Sequence, residues 1–286
     1  MTSHIIGIVL FIVGCTNRDT TADKSTLLGG DYRLFQNTSA WELAKAVEDG
    51  DADKIKADVS KNKGLLNFRD PRFGQSLLQM AVQNKTFNSV KTLVELGADP
   101  NMQDNDDGTS PLMEAANVGV GGFNGVKPMG ADPRFLQLLL KYGGDPNAVQ
   151  KGPHKHGFTP LLIACMAGNL DYVKMLVNAG GNVNYISEYN QSPLAEAIIA
   201  VQSPDIVLYL IEKGADFRRP IAKTIDGEIK YITNGLREWR FDLGSDEYKK
   251  KMQIVDFLKK NGMDYRKTEI PKEFLDQYSK KYLAKY

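Results

Sequence analysis

Four stretches of this chain can be laid over one another: Ser76-Leu-Leu-Gln-Met-Ala81, Ser110-Pro-Leu-Met-Glu-Ala115, Thr159-Pro-Leu-Leu-Ile-Ala164 and Ser192-Pro-Leu-Ala-Glu-Ala197. Each is followed by a second recurrent stretch: Leu96-Gly-Ala-Asp-Pro-Asn101, Tyr142-Gly-Gly-Asp-Pro-Asn147, Ala179-Gly-Gly-Asn-Val-Asn184 and Lys213-Gly-Ala-Asp-Phe217. The starts at 76 and 110 are 34 residues apart and those at 159 and 192 are 33 apart, while 110 to 159 spans one period plus an insertion. A unit of this length cannot bury its apolar face alone, so the repeat commits the chain to a stack of like units.

The chemistry of the unit specifies two helices. Ser or Thr offers a hydroxyl as N-cap. Pro111, Pro160 and Pro193 then sit at the first helical position, where a missing N–H costs nothing. Leu112, Leu161 and Leu194 point inward, and Ala115, Ala164 and Ala197 follow one turn later, small enough for neighbouring units to approach. The second helix carries apolar residues at i, i+3 and i+4, as in Val90-Leu93-Val94, Leu136-Leu139-Leu140, Val173-Leu176-Val177 and Val207-Leu210-Ile211. Gly97, Gly143, Gly180 and Gly214 end it, and Asp or Asn two residues on sets up the turn into the next unit.

These residues over 71–218 resemble the ankyrin repeat, with its 33-residue period and Thr-Pro-Leu-His-x-Ala signature. The resemblance implies an all-α ankyrin-repeat solenoid of five to six repeats with degenerate caps. It also implies a module that binds proteins through its finger loops and the concave face of its first helices. The signature histidine is missing: Gln79, Met113, Leu162 and Ala195 stand in its place, which predicts looser finger loops. Trp41–Val59 reads as a degenerate first repeat, and Ile232–Phe241 with Asp246–Lys260 as a degenerate sixth, with insertions before and within it. In 271–286, Phe274, Leu275, Tyr278, Tyr282 and Leu283 fall on one stripe of a capping helix. With Lys280, Lys281 and Lys285 beside it, the same stripe would also suit a membrane surface.

The chain opens differently. Residues 5–14 are apolar, roughly 15 Å long as a helix, half of what a bilayer core needs but right for a signal peptide. Ile12-Val13-Gly14-Cys15 resembles the bacterial lipobox, which implies a signal peptide over 1–14, cleavage before Cys15 and lipid, palmitate included, on the mature N-terminus. Met1–His4 departs from that pattern in having no Lys or Arg. Without Asp directly after Cys15, the enterobacterial sorting rule implies the outer membrane, facing the periplasm. Residues 15–37 read as the lipidated Cys and a flexible tether, 38–218 as the repeats, and 219–286 as the last repeat with its cap.

Composition narrows the function classes. The balance of 36 Lys+Arg against 35 Asp+Glu gives a net charge of +1 and argues against a nucleic-acid partner. The charge is uneven, with a net of +5 over 219–286 and −4 over the rest. Two cysteines exclude a disulfide scaffold, and three histidines leave little for a metal cage. Gln103–Gly108 with Glu114 partly mimics a calcium loop, but Gln103 stands at its first ligand position and Pro111 starts a repeat helix inside it. Gly119–Gly125 fails both phosphate-loop patterns and reads as an insertion loop. No catalytic residues, metal or cofactor are expected.

What remains is partner binding along the finger edge. The candidate contacts are Asp104, Asp106 and Asp107 as a solvated acidic tip, Phe123 and Met129 in the insertion, His154 and His156, and Glu188 with Tyr189. The expected protein is a monomer when unbound, tethered to the membrane through Cys15, and without enzymatic activity. It resembles ankyrin lipoproteins that act as immunity proteins against secreted toxins such as lipases. An envelope scaffold or a stress-protective protein is the alternative, and an enzyme built on the C-terminal region a third class.

Overall fold

Ser76, Ser110, Thr159 and Ser192 each accept a hydrogen bond on the side-chain oxygen from the amide three residues on, at 3.1–3.2 Å. These caps start the first helices of the central repeats in the computed structural model, which describes residues 18–118, 132–153 and 156–286. The helix pairs are α1 (Trp41–Asp49) with α2 (Ala52–Lys61), α3 (Leu77–Gln83) with α4 (Phe87–Glu95), and α5 (Pro111–Ala116) with α6 (Pro133–Lys141). There follow α7 (Pro160–Met166) with α8 (Leu170–Asn178), and α9 (Pro193–Ile199) with α10 (Pro204–Glu212). A two-stranded hairpin, β1 (Ala222–Lys223) and β2 (Ile229–Lys230), precedes the sixth pair, α11 (Ile232–Glu238) and α12 (Asp246–Lys260). Two short helices, α13 (Lys272–Gln277) and α14 (Lys280–Leu283), close the array. The chain is the all-α ankyrin solenoid that its repeat predicts.

The six pairs share one core. Leu112, Ala115, Leu161, Ala164 and Ala197 are fully buried. Alanine at these positions lets the short first helices of the central repeats, α3, α5, α7 and α9, pack more extensively on one another than the second helices α4, α6, α8 and α10 do. Gly97, Gly143, Gly180 and Gly214 all take left-handed backbone, φ 88–95°, where an L side chain would be strained.

The turns between repeats are tied by an asparagine ladder. Asn101 donates to the Gly143 carbonyl at 2.9 Å and accepts from the Asp145 amide at 2.7 Å. Asn147 does the same with Gly180 and Asn182, and Asn184 with Gly214 and Asp216, at 2.8–3.0 Å. Each asparagine thus satisfies backbone groups that a helix end leaves open, and does so in the following repeat.

Both ends depart from expectation. Within the expected tether, residues 18–37 fold onto the array. Two 3-10 turns, Lys24–Thr26 and Tyr32–Phe35, bury Tyr32, Leu34 and Phe35. Gly30 donates its amide to Gln75 Oε1 at 2.8 Å and accepts from Asn84 Nδ2 at 2.9 Å, so this strap runs along α3 from one end to the other. Arg72 holds the carbonyls of Lys24 and Leu27. The physical reason is burial: four apolar side chains with no regular period still gain by covering the open end of the stack.

At the other end the expected single capping helix is two pieces. Tyr278 is extended (φ −118°, ψ 145°), and Ser279 caps a new turn. The break lets Tyr278, Tyr282 and Tyr286 stack face to face, with centroids 4.6 and 5.4 Å apart, while Leu275 stays outside. Tyr286 is buried and its hydroxyl donates to the carbonyls of Arg237 and Trp239. Trp239 in turn donates Nε1 to the Ile198 carbonyl at 2.7 Å, anchoring the sixth pair to α9.

Candidate protein-binding face

The fingers after α4 and α8 are braced internally, and neighbouring fingers lean on one another. In the finger after α4, Asp104 is 8% exposed. Its Oδ1 accepts from the amides of Asp106, Asp107, Gly108 and Thr109 at 2.9–3.3 Å. Its Oδ2 accepts from Gln79 Nε2 at 2.6 Å. Asp104 is therefore a turn organiser, not the solvated contact that an Asp-rich stretch suggests. The carboxylate gives four consecutive amides a charged acceptor inside the loop. The expected looseness is corrected here as well, because Gln79, standing at the missing histidine, supplies a side-chain brace of its own. The fourth finger is tied by Ser187 Oγ, which accepts from the Tyr189 and Gln191 amides.

Contacts between fingers set their register. Asn105 donates its backbone N–H to the Phe73 carbonyl at 2.7 Å. Gln103 donates to the Val149 carbonyl at 2.7 Å and accepts from the Lys151 amide at 2.9 Å. Gly108 and Gly152 lie so close that a Cβ on either would collide with the other finger's backbone. Tyr185 donates its hydroxyl to the Gly157 carbonyl at 2.6 Å. The described tip residues 103–108, 149–153 with 156–158, and 185–191 therefore lie along one edge.

On that edge Asp106, His156, Glu188 and Tyr189 are exposed, and Asp107 is half-buried. The structure brings His156 and Tyr189 together from fingers 33 residues apart, with ring centroids at 6.2 Å, and His156 also stacks on Phe158 at 5.2 Å. Tyr189 is 60% exposed. Cys15, Phe123, Met129 and His154 lie outside the described residues. On the first-helix side, Gln83 donates to Glu114 at 3.4 Å, and desolvation, with Asp104 nearby, raises the Glu114 carboxyl above the usual carboxylate range.

The sequence reading missed a second feature of this side. The hairpin β1–β2 stands against the fourth finger and leaves a cleft of about 270 Å³ between them, lined by Val183, Ile186, Leu194, Ile221 and Ile229 among others. The available signal was Ile221, Ile225 and Ile229, three isoleucines spaced four residues apart in a segment that also carries Lys223, Asp226, Glu228 and Lys230. Among the described residues no group of three or more His, Cys, Asp or Glu could hold a metal ion, and no helix is long and apolar enough to cross a membrane.

The register seen here matches known families. The model of ankyrin repeats in three copies matches residues 126–220, and that of a single ankyrin repeat matches 73–105. Protein PhlB of Serratia liquefaciens is 32% identical over 171 residues, 60% of this chain and 67% of that protein. Neurogenic locus notch homolog protein 1 of Mus musculus is 27% identical over 176 residues, 61% of this chain but 6% of that protein. With the capped helix pairs, the left-handed glycines and the linked fingers, these matches identify the fold as an interaction module: the chain belongs to the ankyrin-repeat family.

Proposed function

We propose that this protein is a lipid-anchored binding module of a bacterial envelope, and that it holds a secreted antibacterial toxin, such as a lipase, inactive. The observation that carries the reading is the finger edge, where exposed Tyr189 beside His156 is rimmed by Asp106 and Glu188 on a rigid, in-register stack. An aromatic anchor within a polar rim is how protein interfaces distribute their energy. The lipobox-like residues 12–15 support the anchor, and a relative in Serratia liquefaciens supports a bacterial setting.

The test is a deletion and a rescue. Cells lacking the gene should be killed by siblings that secrete the product of the adjacent reading frame. The wild-type gene should restore survival, and Cys15→Ser should lose both a palmitate-analogue label and protection. Unchanged survival of the deletion strain overturns the toxin reading, and label retained by Cys15→Ser overturns the anchor.

A further inference from the structure

The first-helix side of the array is not equally open along its length. At its beginning the chain's own strap lies along α3, held by Gln75, Asn84 and Arg72. Eight large apolar side chains are exposed among the described residues, and five of these belong to the fourth finger or the hairpin region: Ile186, Tyr189, Ile225, Ile229 and Tyr231. Of these, Ile186 and Ile229 line the cleft between finger and hairpin.

We propose that this cleft docks an extended segment of a protein partner, with an aliphatic side chain in the cleft and a neighbouring carboxylate on Lys223. The inference rests on the protein-binding reading above and adds the chemistry of what is bound. Three observations select this occupant. At about 270 Å³ the cleft falls below the usual range of small-molecule and cofactor sites but accommodates one or two aliphatic side chains, which its Val, Ile and Leu lining favours. The sheet has only two strands, so β1, which lines the cleft, has an outer edge that no strand of the chain's described residues covers; such an edge accepts extended backbone. The charges are also selective. Arg219 pairs with Asp216 at 3.1 Å and Lys230 with Glu228 at 2.9 Å, whereas Lys223, in the lining and exposed, makes no ion pair among the described residues.

The test titrates the full chain, methyl-labelled at isoleucine, with acetyl-Asp-Val-Ile-Val-Asp-amide and with its counterpart bearing Lys at both ends. The acidic peptide should move the Ile186, Ile221 and Ile229 methyl resonances and bind about threefold or more tighter than the basic one, the scale of an exposed charge pair. Lys223→Glu should reverse that order, and Ile229→Asp should abolish binding of both. Both substitutions lie on exposed positions, so the fold is retained. No movement of these methyls up to about 5 mM peptide, a range that covers millimolar affinity, overturns the proposal. So does an order of affinity that Lys223→Glu leaves unchanged. If the peptides fail while the adjacent gene product still binds the chain, only the cleft assignment falls; if they bind while that product does not, only the toxin reading falls.

Discussion

Gln79 Nε2 donates to Asp104 Oδ2 at 2.6 Å, joining the first helix of one repeat to the finger that leads into the next. The carboxylate's other oxygen gathers four backbone amides. One side chain thus fixes the finger's shape and its attachment to the stack.

Asp104→Ala should therefore destabilise the protein by about 2–3 kcal/mol, because it leaves the buried Gly108 N–H, the buried Gln79 amide and three part-buried N–H groups without this acceptor. Gln79→Leu should cost less, about 1 kcal/mol, since the finger keeps its internal bonds. Urea unfolding midpoints measure both. Equal stability of Asp104→Ala and wild type would mean that solvent replaces the carboxylate freely.

Leu161→Ala should cost about 2–5 kcal/mol. Leu161 is fully buried in α7, at the middle of the array, and packs toward Gly181 in the turn after α8. A central lesion weakens the interfaces on both sides of its repeat in a nearest-neighbour stack. A melting temperature within about 1 °C of wild type would reject this placement.

The helices that were legible in the sequence are those whose every position answers a physical demand. Ser110, Pro111, Leu112 and Ala115 are a cap, a first-turn residue, a core residue and a close-approach residue, and α5, α7 and α9 begin on the prolines expected to begin them. The strap was not legible because Leu27, Tyr32, Leu34 and Phe35 bury themselves from irregular turns, which leave no period to read. Asp104 was misread for a related reason. Between Gln103 and Asp106 nothing in the composition distinguishes a carboxylate in water from one ringed by amides; only the path of the backbone does. The His156–Tyr189 pairing follows from the register of the repeats, whereas the cleft depends on how an insertion folds back.

Lys251 supplies the pH dependence. It is fully buried, with Nζ 3.5 Å from the Tyr286 ring centroid and 5.4 Å from that of Tyr265, and the Trp239 carbonyl at 3.5 Å. Burial, with the Arg237 guanidinium as a second cation, pushes its ammonium down to about 6. The unfolded chain, with Lys near 10.4, therefore binds more protons than the folded one between pH 6 and about 10. The Lys251 contribution to stability should rise with pH across that window, by up to about 1.4 kcal/mol per unit, and level off below pH 6. Tyr265, which burial pushes up to about 12, opposes the trend only above pH 10. Lys251→Met should be more stable at pH 7 and lose this contribution, so that its stability rises less with pH than that of the wild type. Denaturation at pH 6.5, 7.5 and 8.5 checks this, and identical slopes in the two proteins would refute it.

Tyr189→Ala should weaken partner binding chiefly by speeding dissociation. Tyr189 is the exposed aromatic of the finger edge, backed by His156, and its backbone amide is held by Ser187 Oγ. Removing the ring therefore deletes contact area while leaving the loop in place, and loss of an aromatic anchor costs about 2 kcal/mol or more, roughly a thirtyfold faster off-rate. Glu188→Lys and Asp106→Lys lie on the rim, both exposed, and should instead change the association rate and its dependence on salt. Asp104→Lys is the wrong variant for this purpose, since it would unfold the finger. Surface plasmon resonance on the soluble chain separates the two rates. If Tyr189→Ala leaves dissociation unchanged while Lys91→Glu on the outer helix α4 alters it, the partner binds the opposite side of the array.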